Sequence, residues 1–369
     1  MRLLRKIIPA VFMLFVPLPS VAQILSDTFA IRIITEGMHS IYDFRFSEAR
    51  EASDRLAVLY PGHPVLDLFD GMRIYWENFP LLPSSGATMQ FEDLMRRCMD
   101  KSENETAPSP AYEPEYLLTR LCARGLLLLF YADNDMSGNV IPLAASTYRP
   151  LMLSFGYTSR CTDFYYFTGV YNYYRDAYPQ VYPVYKAVAF MFPPGDMQLG
   201  LRQLEECGQT SIALRAEAYF ILSWIRLNFE KDSEAALPLL LHLVNNYPDN
   251  PLYRICYIKN LLLLKRFSEA EAVLEQNSAD NNLFYNSVVP VFHGIIQEKK
   301  YLNYELALSH YRTGVSALFP FGAYGNEYAA YGYFGLSRLA ALSGNNHERR
   351  INRRKAQSIA EFRDITFDY

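Results

Sequence analysis

The chain has 369 residues, half of them apolar and 15% aromatic, which excludes a wholly disordered segment and suffices for a large core or a repeat array. Its formal net charge of −4 lacks the surplus of Lys and Arg that nucleic-acid phosphates require, so no nucleic acid partner is expected. No HExxH, GxSxG, phosphate-binding glycine loop or dinucleotide fingerprint occurs, so the reading is non-enzymatic, with catalytic residues none, metal none and cofactors none.

At the N-terminus Arg2, Arg5 and Lys6 precede the apolar run "IIPAVFMLFVPL", and Ser20 and Ala22 stand at −3 and −1 of a cleavage point before Gln23. Residues 1–22 read as a secretory signal peptide. The run is broken by Pro9 and Pro17 and is shorter than the roughly 20 residues of a spanning helix. An exported protein follows, periplasmic or extracellular, with no stable membrane span after cleavage and a net charge moved from −4 to −7.

Residues 23–99 carry the first helix pairs. "DTFAIRIITEGMHSIYDF" places Phe29, Ile33, Ile34, Gly37 and Ile41 on one helical face, and "RFSEAREASDRLAVLYPGHP" does the same for Ala49, Ala52, Leu56 and Leu59. Ser47 is expected to cap the second helix, with Glu48 at its positive end, and Pro61 and Gly62 to stop it. Gly37, Ala49 and Pro61 are 12 residues apart. "PLLPSSGA" at Pro80–Ala87 and the stretch 100–115 read as loops.

From 116 to 208 the regularity is lost in an aromatic-rich helical region, with helices expected at about 112–132, 140–156, 161–176 and 195–207. Tyr165, Tyr166, Tyr171, Tyr173, Tyr174, Tyr178, Tyr182 and Tyr185 crowd the segment 163–185. Helical spacing groups Tyr166, Gly169, Val170 and Tyr173 and turns Tyr165, Asn172 and Arg175 elsewhere. Tyr165, Tyr166, Asn172, Tyr173 and Arg175 are the candidate contacts for a glycan or peptide ligand. Rings at this spacing also serve as ordinary core, and that alternative stands beside the first.

Residues 209–345 restore the pattern. Ala236 and Pro248 are 12 apart, "NYPDNP" parallels "LYPGHP", and Ala270 follows Ala236 by 34 residues inside a second copy of "RFSEA". Gly294, Ala307, Tyr311, Gly314 and Pro320 fit a further unit with one inserted residue. These spacings resemble the tetratricopeptide repeat, a 34-residue helix–turn–helix with a small residue in its first helix, an alanine in its second and a closing proline. Trp224 and Ile258 stand where that family prefers small residues, Ser53, Leu240 and Leu274 replace an aromatic, and Asn282 replaces the proline. The resemblance implies an all-α, right-handed solenoid of antiparallel helix hairpins, in degenerate form, closed by a capping helix and tail at 346–369 that carries Arg349, Arg350, Arg353, Arg354 and Lys355. It implies a scaffold that offers a concave face to a protein partner in the cell envelope. The second reading is a carbohydrate- or small-ligand-binding solenoid using 163–185.

Five cysteines, Cys98, Cys122, Cys161, Cys207 and Cys256, form no CxxC pair, and export permits a single bridge among otherwise buried thiols. The six histidines are scattered outside metal-ligand spacing.

Overall fold

The structure, a computed structural model, describes residues 23–104, 113–181, 192–276 and 281–368. Residues 1–22, expected as a signal peptide, and Tyr182 and Tyr185 lie outside the described residues. The protein is all-α. Its sixteen described helices are α1 (Thr28–Tyr42), α2 (Phe46–Leu59), α3 (Pro64–Glu77), α4 (Thr88–Asn104), α5 (Glu113–Asp133), α6 (Ser137–Ser154), α7 (Phe164–Val181) and α8 (Met197–Thr210). They continue with α9 (Arg215–Trp224), α10 (Ser233–Asn246), α11 (Pro251–Leu263), α12 (Phe267–Glu275), α13 (Leu283–Lys299), α14 (Tyr304–Leu318), α15 (Ala323–Leu342) and α16 (Asn346–Ile359). Of the stretch expected as a loop over 100–115, residues 100–104 belong to α4 and 113–115 to α5, and the remainder lies outside the described residues.

One local device recurs between helices. The turns α1/α2, α5/α6, α9/α10, α11/α12, α13/α14 and α15/α16 each hold one residue in the left-handed region: Phe44, Asp135, Lys231, Lys265, Leu302 and Gly344, with φ between 55° and 74°. The next residue sends its N–H back to a carbonyl of the helix just ended, as in Arg45 N to Ser40 O and Arg266 N to Leu261 O, both 2.8 Å. This satisfies the carbonyls orphaned at a helix end and aims the chain into the next helix. It also overturns the expected cap at Ser47. Helix α2 starts at Phe46, Arg45 is the cap residue, and no side chain caps it. Glu48 is held by Arg45 at 2.5 Å, and Glu269 by Arg266 at 2.6 Å, so the two "RFSEA" copies share an Arg–Glu clamp.

The two proline signatures also share a conformation. Tyr60 (φ −131°, ψ 62°) ends α2 and Tyr247 (φ −132°, ψ 64°) ends α10. Each next helix then opens on a side-chain cap followed by proline, His63–Pro64 for α3 and Asn250–Pro251 for α11. Pro61 and Pro248 lie exposed in those turns.

Small residues set the helix contacts. Ala49, Ala236, Ala270 and Ala307 are fully buried. A Cβ on Gly37 would lie 2.3 Å from Phe69, and one on Gly294 would lie 2.6 Å from Tyr311, so a larger residue at either place would push the facing ring aside. Asn282 acts as a cap where the repeat has proline, accepting from Tyr285 N at 2.9 Å and donating to Phe79 O at 2.9 Å.

Helices α3, α5, α11, α13 and α15 are enclosed, whereas α2, α10, α12, α14 and α16 bury a single stripe. The two ends of the chain meet across the enclosed helices. Asn250 Nδ2 donates to Tyr42 O at 2.8 Å, and Tyr324 Oη bonds both Tyr75 Oη and Asp133 at 2.8 Å. One apolar core therefore runs through residues 24–131 and 216–367, and smaller cores sit under the aromatic middle.

Candidate binding site

The tyrosine-rich helix α7 is packed rather than presented. Glycines let α7 and α8 cross at backbone contact, since a Cβ on Gly200 would lie 2.7 Å from Gly169 O and from Tyr173 N. That crossing encloses Tyr173, 1% exposed, and Asn172, whose Nδ2 donates to Gln203 Oε1 at 2.8 Å. Arg175 donates to Pro193 O at 3.0 Å and Phe192 O at 2.9 Å and pairs with Asp176 at 2.7 Å. Tyr165 is half-buried against the small core of Leu117 and Phe164. Tyr165, Asn172 and Arg175 therefore do not converge on an open groove, and the candidate ligand role of this group loses its support. Tyr166 packs against both smaller cores, where burial raises its hydroxyl pKa well above the ordinary value and the Glu217 carboxyl adds to the shift.

The polar side chains that do converge belong to the enclosed helices. Lys259 of α11 is 2% exposed, pairs with Glu327 of α15 at 2.5 Å, and bonds Asn228 Oδ1 at 3.3 Å. Its ammonium lies between the rings of Trp224, at 5.6 Å, and Tyr331, at 5.7 Å. A buried ammonium is tolerable here because a carboxylate, an amide oxygen and two ring quadrupoles replace its water.

Across this row lies the chain's own C-terminal strap. After α16 the backbone extends at Ala360, and Phe362, Ile365 and Phe367 are buried. Phe362 packs on Trp224 and Phe229, with ring centroids 5.8 and 5.9 Å away, under the Lys231 ammonium. Phe367 packs edge-on against Tyr331 at 5.1 Å. Arg338 donates to Thr366 O and pairs with Asp368 at 3.1 Å, and Lys231 pairs with Asp364 at 2.7 Å. Arg338 is itself fixed by Glu298 of α13, which also accepts from the buried Tyr311 hydroxyl at 2.6 Å. The strap thus spans from α9 to α15 by two aromatic anchors, backbone bonds and ion pairs. Burial and the neighbouring Glu327 push the Glu361 carboxyl up to about 7.

A second convergence surrounds Glu217 of α9. Tyr42 Oη donates to its Oε1 at 2.9 Å. Tyr42, Trp76 and Tyr253 form a ring triangle with centroid separations of 5.7, 6.2 and 6.5 Å. Burial raises the carboxyl of Glu217 above its ordinary value, opposed by the Tyr42 hydrogen bond. Sequence reasoning missed this group. Its only trace was an acid sharing a helical face with Phe220, Ile221 and Trp224.

The basic residues Arg349, Arg350, Arg353, Arg354 and Lys355 are exposed on α16, and the Lys355 ammonium lies 5.4 Å from the Tyr333 ring. All five cysteines are free thiols, Cys122 half-buried and the others buried. Burial pushes the Cys98 and Cys256 thiols up to about 12. Among the described residues no group of three or more His, Cys, Asp or Glu could hold a metal ion, and no helix is long and apolar enough to cross a membrane. No protein-family model, curated protein or solved structure matches this chain.

Proposed function

We propose that this chain is an exported, non-enzymatic scaffold of the cell envelope that binds a protein partner through an extended segment laid on its inner helices. The supporting scaffold is a degenerate, tetratricopeptide-like solenoid of antiparallel helix hairpins. The six turns of one geometry, the matched Tyr60 and Tyr247 junctions and the enclosed alanines speak for repetition of one hairpin unit. The observation that carries the binding role is the strap. The inner face already holds a peptide-like segment through Phe362 and Phe367, the mode by which aromatic anchors dominate peptide recognition. A partner segment with two aromatic residues at similar spacing and an acidic flank would fit the same row.

A fluorescent peptide of the sequence Glu361–Tyr369 tests this against the full chain and against the chain carrying Phe362→Ala and Phe367→Ala. Release of the strap should raise peptide affinity at least tenfold. Equal affinity for both proteins, or no binding to either while both remain helical, overturns the reading.

A further inference from the structure

Helix α16 is held to the protein along one edge. Only Ala356 of it is buried, against Ala330 and Phe334 of α15. Ser337 Oγ of α15 donates to Arg349 O at 2.9 Å, which fixes how the helix is turned. Arg349, Arg350, Arg353 and Arg354 are all exposed, and at helical spacing they share an arc of about 140°.

Two local rules are broken on this face. Arg349 closes the first turn of the helix, at the end where the backbone dipole disfavours a cation. Arg349 with Arg353, and Arg350 with Arg354, are like charges one turn apart, which repel. Other arginines hold carboxylates, as Arg45 does Glu48, Arg73 does Glu77 and Arg266 does Glu269. Among the described residues none of the four on α16 forms an ion pair. Local rules broken without an internal compensation mark a functional surface.

The four charges call for an anionic partner, and the form of the face selects its kind. No apolar side chain of α16 is exposed, so the face lacks the apolar anchor that dominates protein interfaces. Four charges on a chain of net charge −4 fall short of the phosphate contacts that hold nucleic acid. A cluster of roughly four to eight basic residues on one helix suffices for an anionic bilayer, which meets all of them at once. Guanidinium forks also match phosphate oxygens two at a time.

We propose that the arginine face of α16 docks this protein on the phosphate headgroups of an anionic phospholipid surface, by electrostatic contact and without insertion. The proposal goes beyond the scaffold reading and uses neither the strap nor the inner row, so either can fail alone.

Co-sedimentation of the full chain with vesicles tests it, one set mixing phosphatidylglycerol with phosphatidylcholine and the other holding phosphatidylcholine alone. The comparison protein carries Arg349→Gln, Arg350→Gln, Arg353→Gln and Arg354→Gln, which keep helix propensity. Residues 1–22 are common to both proteins, so their own lipid affinity cancels in the comparison. At about 0.05 M salt the unmodified chain should favour the anionic vesicles, and about 0.5 M salt should abolish the preference. Each arginine is expected to contribute about fivefold, so the variant should lose at least about a hundredfold in partitioning with unchanged circular dichroism. Changing the same four residues to lysine should retain most of the binding. Partitioning of the glutamine variant equal to that of the unmodified chain overturns the proposal, as does a lysine variant that loses as much as the glutamine one. Equal binding to both vesicle sets overturns it too. Displacement by glycerol 3-phosphate at the same phosphate concentration would make this a site for free phosphate, and binding to duplex DNA without binding to anionic vesicles would assign it to nucleic acid. Either result overturns the membrane reading.

Discussion

Lys259 of the enclosed α11 and Glu217 of α9 are both ionisable residues set among aromatic rings, and their surroundings differ in one respect. Lys259 has a carboxylate at 2.5 Å and an amide oxygen at 3.3 Å, whereas Glu217 has one tyrosine hydroxyl at 2.9 Å and, among the described residues, no ion-pair partner. The desolvation of Lys259 is offset inside the protein, and that of Glu217 is left open. A completed pair fixes the row on which the strap lies. An incomplete one leaves a charge that burial disfavours, and the two should respond to substitution with opposite sign.

The largest effect is expected at the completed pair. Lys259→Ala leaves Glu327 among Tyr331 and the strap without its counter-charge, a loss of about 3–5 kcal/mol by chemical denaturation. Lys259→Met combined with Glu327→Gln should recover more than half of it, since volume is kept and Tyr331 retains an acceptor. If the double variant is no better than the single one, the pair is not what the row depends on.

Phe367→Ala comes next. Full enclosure would set the cost at roughly 3–5 kcal/mol. The strap follows the last helix and belongs to none, so its local release is expected to precede global unfolding and the global loss should fall below that range. Limited proteolysis should instead cut near Phe362 before any helix is attacked.

At the incomplete site the sign reverses. Glu217→Gln keeps the acceptor for Tyr42 and removes a charge that burial disfavours. It should leave the protein as stable or up to about 1–2 kcal/mol more stable at pH 8, within the range of a relieved buried polar group. Marked destabilisation would mean that Glu217 has a structural partner and would erase the contrast with Lys259.

Much of the architecture was legible from local rules. Glycine–alanine–proline spacing marked where helices approach and end, because close contact and chain reversal admit few residue types, and Ala49, Ala236, Ala270 and Ala307 are all sealed. Other features were misread for physical reasons. Ser47 has the chemistry of a cap, but Phe44 in the left-handed region starts the helix earlier, a choice fixed by backbone bonds to α1. The tyrosines of α7 have the composition of a binding surface, yet the Gly169–Gly200 crossing turns Tyr173 and Asn172 inward. The Glu217 and Lys259 groups draw residues from helices up to about two hundred positions apart in sequence, as Tyr42 and Tyr253 show. No short window contains such a constellation.

The smallest effect concerns pH and separates the two sites once more. Glu361 on the strap has its carboxyl pushed up to about 7 by burial and by Glu327, with Asp133 and Asp135 adding to the rise and Lys259 opposing it. A carboxyl whose folded value lies above its unfolded value favours the folded state when protonated. That contribution is complete below the ordinary carboxylate range and is lost as pH rises through about 7. The strap should therefore dock more firmly at pH 5.5 than at pH 8, read as the emission of Trp224 in a Trp76→Phe background. Glu361→Gln should flatten most of the change. A residue should persist from Asp133, which burial raises to about 6 despite the hydrogen bond from Tyr324, and it should centre at lower pH. Trp224 emission that follows pH equally in both proteins would assign the effect to Asp133 alone and make the strap a fixed part of the core rather than a displaceable occupant of the inner row.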